Sequence, residues 1–128
     1  MATLPFVPGR HAIEAYGGGG FRFAGMSHVG SILATPRGVS ALAAASIAEV
    51  GDEALAPLIA ELEMAPGTVD LLVIGVGASP ARLSETLIGR LRTLGLRFET
   101  MATGPAAHMY NVLVEEGRRV AALLIAVA

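Results

Sequence analysis

The stretch Asp70-Leu71-Leu72-Val73-Ile74-Gly75-Val76-Gly77, followed at once by Ser79-Pro80, decides the fold. Residues 69–75 are a continuous apolar run, the pattern of a strand covered on both faces and therefore central and parallel in its sheet. Ser79 is placed to cap a following helix, and Pro80 suits its first position. Leu83, Leu87, Leu91 and Leu94 give a helix over 80–94 its buried stripe, with Arg82, Glu85 and Arg90 on the wet side. Gly95 is a natural stop, and 96–101 returns as a strand, so 69–101 reads as a right-handed βαβ unit. Thr103-Gly104-Pro105 repeats the cap-then-proline grammar. Ala106, Met109, Tyr110 and Leu113 line the apolar face of a helix over 105–116, Gly117 ends it, and 120–127 is a final strand. The two-residue step from Gly117 to Val120 predicts that this strand runs back antiparallel.

Working outward, Asp52-Glu53 opens a helix whose Leu55, Leu58, Ile59 and Leu62 follow the i, i+3, i+4, i+7 rule, with Pro57 in or near its first turn and Pro66-Gly67 at its end. Residues 29–34 read as one strand closed by the turn Thr35-Pro36-Arg37-Gly38; 39–48 is ambiguous between helix and extended chain. Ala12 to Tyr16 and Phe21-Arg22-Phe23 alternate around Gly17-Gly18-Gly19-Gly20, which predicts two short strands and a hairpin or wide turn. Alternation puts Phe21 and Phe23 on one face and Arg22 on the other. Residues 1–10, with Pro5 and Pro8-Gly9, read as an irregular arm, and 11–128 as a single α/β domain. The architecture expected is three layers: a mixed central sheet of about five strands, its helices, and an additional N-terminal β layer.

At 128 residues the chain is long enough to bury a core without staples. It has no Cys, so disulfide and thiolate chemistry are excluded. All nine basic residues are Arg, which with the abundant Ala and Gly fits a GC-rich coding bias. A net charge of -2, with no basic cluster beyond Arg118-Arg119, argues against a nucleic-acid partner. The longest apolar stretches are about half of the ~20 residues a bilayer span needs, so no membrane insertion is expected. No basic region followed by an apolar core opens the chain, and a cytoplasmic protein is expected.

With these residues in view, the chain resembles a small α/β family that includes the mitochondrial NADH dehydrogenase (complex I) assembly factor 3 and an adipogenesis-associated protein. The resemblance covers about residues 12–128 and rests on an ordered series of short motifs. These are Ala15-Tyr16-Gly17 into Gly20-Phe21-Arg22-Phe23, His28-Val29-Gly30-Ser31, Asp70…Ile74-Gly75-Val76-Gly77, Met101-Ala102-Thr103-Gly104, Tyr110-Asn111-Val112-Leu113 and Glu116-Gly117-Arg118-Arg119-Val120. It implies a three-layer fold with a five-stranded mixed sheet and no established catalytic activity. Family members usually carry Cys-Arg-Thr where this chain has Ala107-His108-Met109, and a tryptophan where Leu42 lies nearby. The first departure removes an Arg from the expected crevice.

No nucleophile–base pair, metal cluster or complete phosphate loop appears, and no cofactor is expected. Gly75-x-Gly77-x-x-Pro80 is part of a dinucleotide fingerprint, and Glu99 lies 22 residues beyond Gly77, where an acidic residue would hold a ribose. Pro80 in place of the third glycine, a lone βαβ unit and the lack of a catalytic domain count against it. The three histidines are far apart and lack acidic neighbours at ligand spacing. A weaker reading is a crevice where two helix N-termini meet, suited to a small anionic ligand, with Gly75, Gly77, Ser79, Glu99, Thr103, Gly104, Tyr110 and Asn111 around it. The alternative reading is that Gly77 and Gly104 merely permit tight turns and that Tyr110 is core with its hydroxyl satisfied at the rim. Two functions follow: a non-catalytic binding or assembly module with a protein partner or a homodimer, or a small-ligand protein or minimal enzyme using that crevice.

Overall fold

The computed structural model describes residues 6–128. Among these residues nine strands are present: β1 (Phe6–Pro8), β2 (Ile13–Gly17), β3 (Gly20–Phe23), β4 (Met26–Val29), β5 (Ile32–Thr35), β6 (Gly38–Ala41), β7 (Leu71–Gly75), β8 (Arg97–Met101) and β9 (Val120–Leu124). The helices are α1 (Asp52–Met64), α2 (Glu85–Thr93) and α3 (Thr103–Glu115). Six strands make a mixed sheet in the order β1-β6-β5-β9-β7-β8, and β2-β3-β4 make a separate antiparallel sheet.

The uninterrupted apolar run of β7 is explained by burial on both sides. Leu72 and Ile74 pack with Leu55 and Leu58 of α1, Leu87 and Leu91 of α2, and Leu33 and Leu123 of the sheet. Val73, on the opposite face, packs with Ala106 and Tyr110 of α3, with Ile32 and Leu124, and with Phe21 and Phe23 of the small sheet. The order is therefore α1 and α2, then the main sheet, then α3 with the small sheet. Leu71 and Leu113 lie at the edges of that packing and are half-buried.

The last strand is antiparallel only to β5; it is parallel to β7. The two-residue step after Gly117 does not set its direction, because α3 has already carried the chain back. Thirteen helical residues span about 20 Å, enough to recross a five-residue strand of about 17 Å. β9 therefore starts beside the start of β7, where the Asp70 N–H donates to the Arg119 carbonyl at 2.8 Å. The Arg119 guanidinium also pairs with the Asp70 carboxylate at 3.1 Å.

Other boundaries differ from the expectation. Ser79-Pro80 does not open α2; residues 78–82 are all exposed, so a further helical turn there would bury nothing. Ser84 is the cap instead, its Oγ accepting from the Leu87 N–H at 3.1 Å. Residues 29–34 are not one strand: β4 ends at Val29, and Gly30, at φ 102°, turns the chain from the small sheet into the large one. The ambiguous stretch contains β6, antiparallel to β5, then a short 3-10 turn at Ile47–Glu49. Phe6–Pro8, expected to be irregular, forms an edge strand on β6, and with β1 and β6 the sheet has six strands where about five were expected. The rest of the expected arm, residues 1–5, lies outside the described residues. Pro57 is the sixth residue of α1 and sits in its second turn. Both it and Glu53, whose carbonyl loses its helical donor, are exposed, so water takes the missing bond. The hairpin forms as expected: Gly17 faces Gly20, and Gly18 and Gly19 both hold positive φ, the two-residue turn that suits right-twisted strands.

Candidate functional site

The carboxyl ends of β7 and β9 meet the start of α3 through a short hydrogen-bonded seam. After β7, Val76 N–H donates to the Met101 carbonyl at 2.9 Å, and Gly77, at φ 117°, turns the chain away. The Gly77 N–H donates to Thr103 Oγ1 at 3.0 Å, and the Gly77 carbonyl accepts from the Thr103 N–H at 2.9 Å. Thr103 Oγ1 in turn donates to the Ile125 carbonyl at 2.7 Å, while the Ile125 N–H donates to the Gly75 carbonyl at 2.9 Å. Thr103 is fully buried. Expected as a cap, it is instead the first residue of α3, and its hydroxyl joins three chain segments rather than its own helix. Gly75 is needed there: a Cβ would stand 2.9 Å from Thr103 Cα and 3.0 Å from Leu124 Cδ2.

Gly75, Gly77, Thr103 and Gly104 therefore converge at one end of the sheet. Beside Gly104 is a cleft of about 370 Å³ lined by Ile13, Glu14, Ala15, Tyr16, Gly104, Ala107, His108 and Asn111. The Tyr16 phenol rests directly on Gly104, where any Cβ would collide with it. Asn111 borders the cleft but is committed to β2: its Oδ1 accepts from the Ile13 N–H at 2.7 Å and its Nδ2 donates to the Ile13 carbonyl at 2.8 Å. Tyr110 points the other way, into the core, and is 1% exposed. Burial pushes its phenol up to about 12, with the nearby Arg10 guanidinium pulling it down.

Ser79 and Glu99 do not join this group. Ser79 is exposed in the loop before α2, and Glu99 is exposed on the edge strand β8, paired in register with Val73 in mid-strand. Nor do two helix N-termini share the crevice, since α2 begins at Glu85, eight residues past Gly77. At α3 the donors are nearly spent. Thr103 N–H serves Gly77, Pro105 has none, and Ala106 N–H serves the Ala102 carbonyl at 3.0 Å. Only Gly104 retains a first-turn N–H without a protein partner among the described residues, and Tyr16 covers that residue.

The residues that sequence reasoning missed are Glu14, Tyr16 and His108 at the cleft, and Ser84 as cap. For Ser84 a signal existed, a serine followed by Glu85 and then by the Leu87, Leu91 stripe. Tyr16 reaches Gly104 from a strand carrying a register shift between Ile13 and Ala15, which no local pattern announces. On the other side of Tyr16, a shallow hollow of about 340 Å³ runs over the outer face of the small sheet, past Gly17, Gly20, Arg22 and Ser27 to Val29. Tyr16 is 52% exposed and Val29 89% exposed.

These features define a three-layer α/β domain in which Thr103 and Asn111 serve its own chain, and whose small sheet carries three of the exposed large apolar side chains among the described residues, Tyr16, Met26 and Val29. The chain belongs to the family described as protein of unknown function (DUF498/DUF598), whose model matches residues 13–125. It is 41% identical over 121 residues to an uncharacterized protein of Rhodobacter capsulatus, covering 94% of this chain and 89% of that one. It is 29% identical over 113 residues to NADH dehydrogenase [ubiquinone] 1 alpha subcomplex assembly factor 3 of Xenopus tropicalis, covering 88% of this chain and 60% of that longer protein. Among solved structures, that of a protein described as an outer membrane protein from Bartonella henselae is similar at a TM-score of 0.85 and 40% identity, covering 94% of this chain and 98% of the other. In this chain, no helix among the described residues is long and apolar enough to cross a membrane.

Proposed function

We propose that this protein is a non-catalytic binding and assembly module, acting in the cytoplasm on a protein partner or as a homodimer. The similarity to the assembly factor supports the class of function. The observation that carries the reading is Tyr16, a half-exposed aromatic between the 370 Å³ cleft and the 340 Å³ hollow, on a sheet that also exposes Val29. Exposed aromatic and aliphatic groups on one small sheet are the ordinary anchors of a protein interface. β4 is moreover an outer strand of that sheet, paired on one side only, to β3, and so open to strand addition. Affinity capture from the native cell, with sedimentation of the purified protein, tests this. Val29→Asp is expected to abolish the captured complex or the dimer without moving the melting curve; capture unaffected by both Val29→Asp and Tyr16→Ala overturns it.

A second reading, a small anionic-ligand protein or minimal enzyme, is supported by the cleft itself, where Tyr16, His108 and Asn111 meet Gly104. The spent N–H groups of α3 and the engagement of Asn111 by Ile13 weigh against it. A metabolite thermal-shift screen separates the two: a ligand whose stabilisation is lost in His108→Ala would favour the second.

A further inference from the structure

On the far side of the main sheet from that cleft, the β5–β6 hairpin and α1 border a half-open cavity of about 200 Å³. Its lining includes Phe6, Ser40, Pro57 and Ala60, together with Thr35 and Glu61. Glu61 is only 4% exposed, although it lies on a surface helix. Its Oε1 accepts a 2.6 Å bond from Thr35 Oγ1. Its Oε2 is buried and has no partner among the described residues. Thr35 has one hydroxyl proton, and the 3.3 Å approach to the Gly38 carbonyl is the longer of its two contacts, so that proton serves Glu61. No cation of the described residues pairs with this carboxylate. Arg37 lines the same cavity, but its Nη1 turns outward to Met64 Sδ at 3.6 Å.

A buried carboxylate oxygen without a donor is costly, and such groups are normally paired or hydrogen-bonded. A donor that also carries positive charge, and is small enough for the cavity, would match this oxygen. The rest of the lining fits an alkyl ammonium. The Ser40 hydroxyl offers a second acceptor, and Phe6, Pro57 and Ala60 offer apolar contact to a short chain. We infer that this cavity binds a primary ammonium group on a short aliphatic stem, with Glu61 as counter-ion. The chemistry is shared by a free small amine and by a lysine side chain.

The test is an NMR titration of the full chain with n-butylammonium chloride at constant ionic strength, with 1-butanol as the neutral control. Saturable shifts are expected at the Thr35, Gly38, Ser40 and Glu61 amides, and not with butanol. Glu61→Gln is expected to weaken binding at least about tenfold, the scale of one charge-assisted hydrogen bond. Ala60→Leu changes an exposed helical position, leaves the carboxylate in place and fills the cavity; it is also expected to abolish the shifts, so the test stands even if Glu61→Gln misfolds. Shifts that do not saturate, that butanol reproduces, or that survive both substitutions overturn the proposal. So does an Arg37 side-chain N–H that proves protected and loses protection in Glu61→Gln, because the partner would then be internal. An N-acetyl-lysine methylamide arm distinguishes the sources: binding equal to butylammonium points to a lysine side chain, and exclusion points to a free amine.

Discussion

Asn111 holds both main-chain polar groups of Ile13, taking its N–H at 2.7 Å and giving to its carbonyl at 2.8 Å. This clasp joins α3 to β2 at a point where the two sheets share no strand, and it fills the one place where β2 departs from regular register. An amide accepts at one atom and donates at another, at a spacing that matches the N–H and C=O of one residue. Asn111→Leu is therefore expected to cost about 1–3 kcal/mol, because both Ile13 groups lose their partner. Urea unfolding measures the loss. Amide exchange is expected to rise in β2 well before it rises in β9.

Thr103 gives a sharper test of the seam. Thr103→Val keeps the shape but strands the Ile125 carbonyl and the Gly77 N–H, at about 1–3 kcal/mol for each buried unsatisfied group. Thr103→Ser keeps the hydroxyl and is expected to recover most of that stability. Equal urea midpoints for the Val and Ser variants would show that the hydroxyl contributes nothing.

Two glycines at the same end of the sheet are expected to behave oppositely. A Cβ at Gly75 meets the backbone of Thr103, which cannot yield without moving α3, so Gly75→Ala is expected to cost about 1–3 kcal/mol. A Cβ at Gly104 meets first the Tyr16 phenol, whose half-exposed ring can rotate into solvent. Gly104→Ala is expected to leave the melting temperature nearly unchanged while displacing Tyr16, and so to weaken partner capture. Thermal melts of the pair, read beside capture yields, check both halves.

Tyr110 sets an alkaline limit. Its phenol titrates near 10 in the unfolded chain and near 12 in the folded one, because burial disfavours the phenolate. The folded state thus holds this proton more tightly. The associated stability is fully present below about pH 10 and is lost as pH rises through 12. The expected slope is about 1.4 kcal/mol per pH unit. No lysine is present to titrate in the same range. Urea midpoints between pH 9 and 12 are expected to fall in the parent chain and in Tyr16→Phe, and to stay flatter in Tyr110→Phe.

Much of this architecture was legible locally. The apolar run of β7 announced a strand covered on both faces, the Leu87 and Leu91 spacing announced α2, and Phe21-Arg22-Phe23 announced a strand with two buried rings and an exposed guanidinium, because period and burial are properties of neighbouring residues. The convergence of Gly75, Gly77, Thr103 and Gly104 followed from the βαβ order, since parallel strands deliver their exits to one edge. The start of α2 and the role of Thr103 were not legible. A serine before a proline satisfies a cap rule wherever it stands, and only the absence of anything to bury at 78–82 decides against it.

What the sequence by itself determined is therefore the three helices, the strands β2, β3, β7, β8 and β9 and the faces they bury, along with the exclusion of thiol and disulfide chemistry. Those depend on residue type and on spacing over one or two turns. The tertiary structure alone decided the direction of β9, the pairing of β1 with β6, and the employment of each polar group. Thr103, Asn111 and Glu61 have partners 22, 98 and 26 residues away. A hydroxyl, an amide or a carboxyl has the same local appearance whether it will face water, a ligand or a distant carbonyl. The difference is made by what folding places within about 3 Å of it; here Thr103 and Asn111 are fastened to distant backbone, and among the described residues one buried carboxylate oxygen is left unmatched.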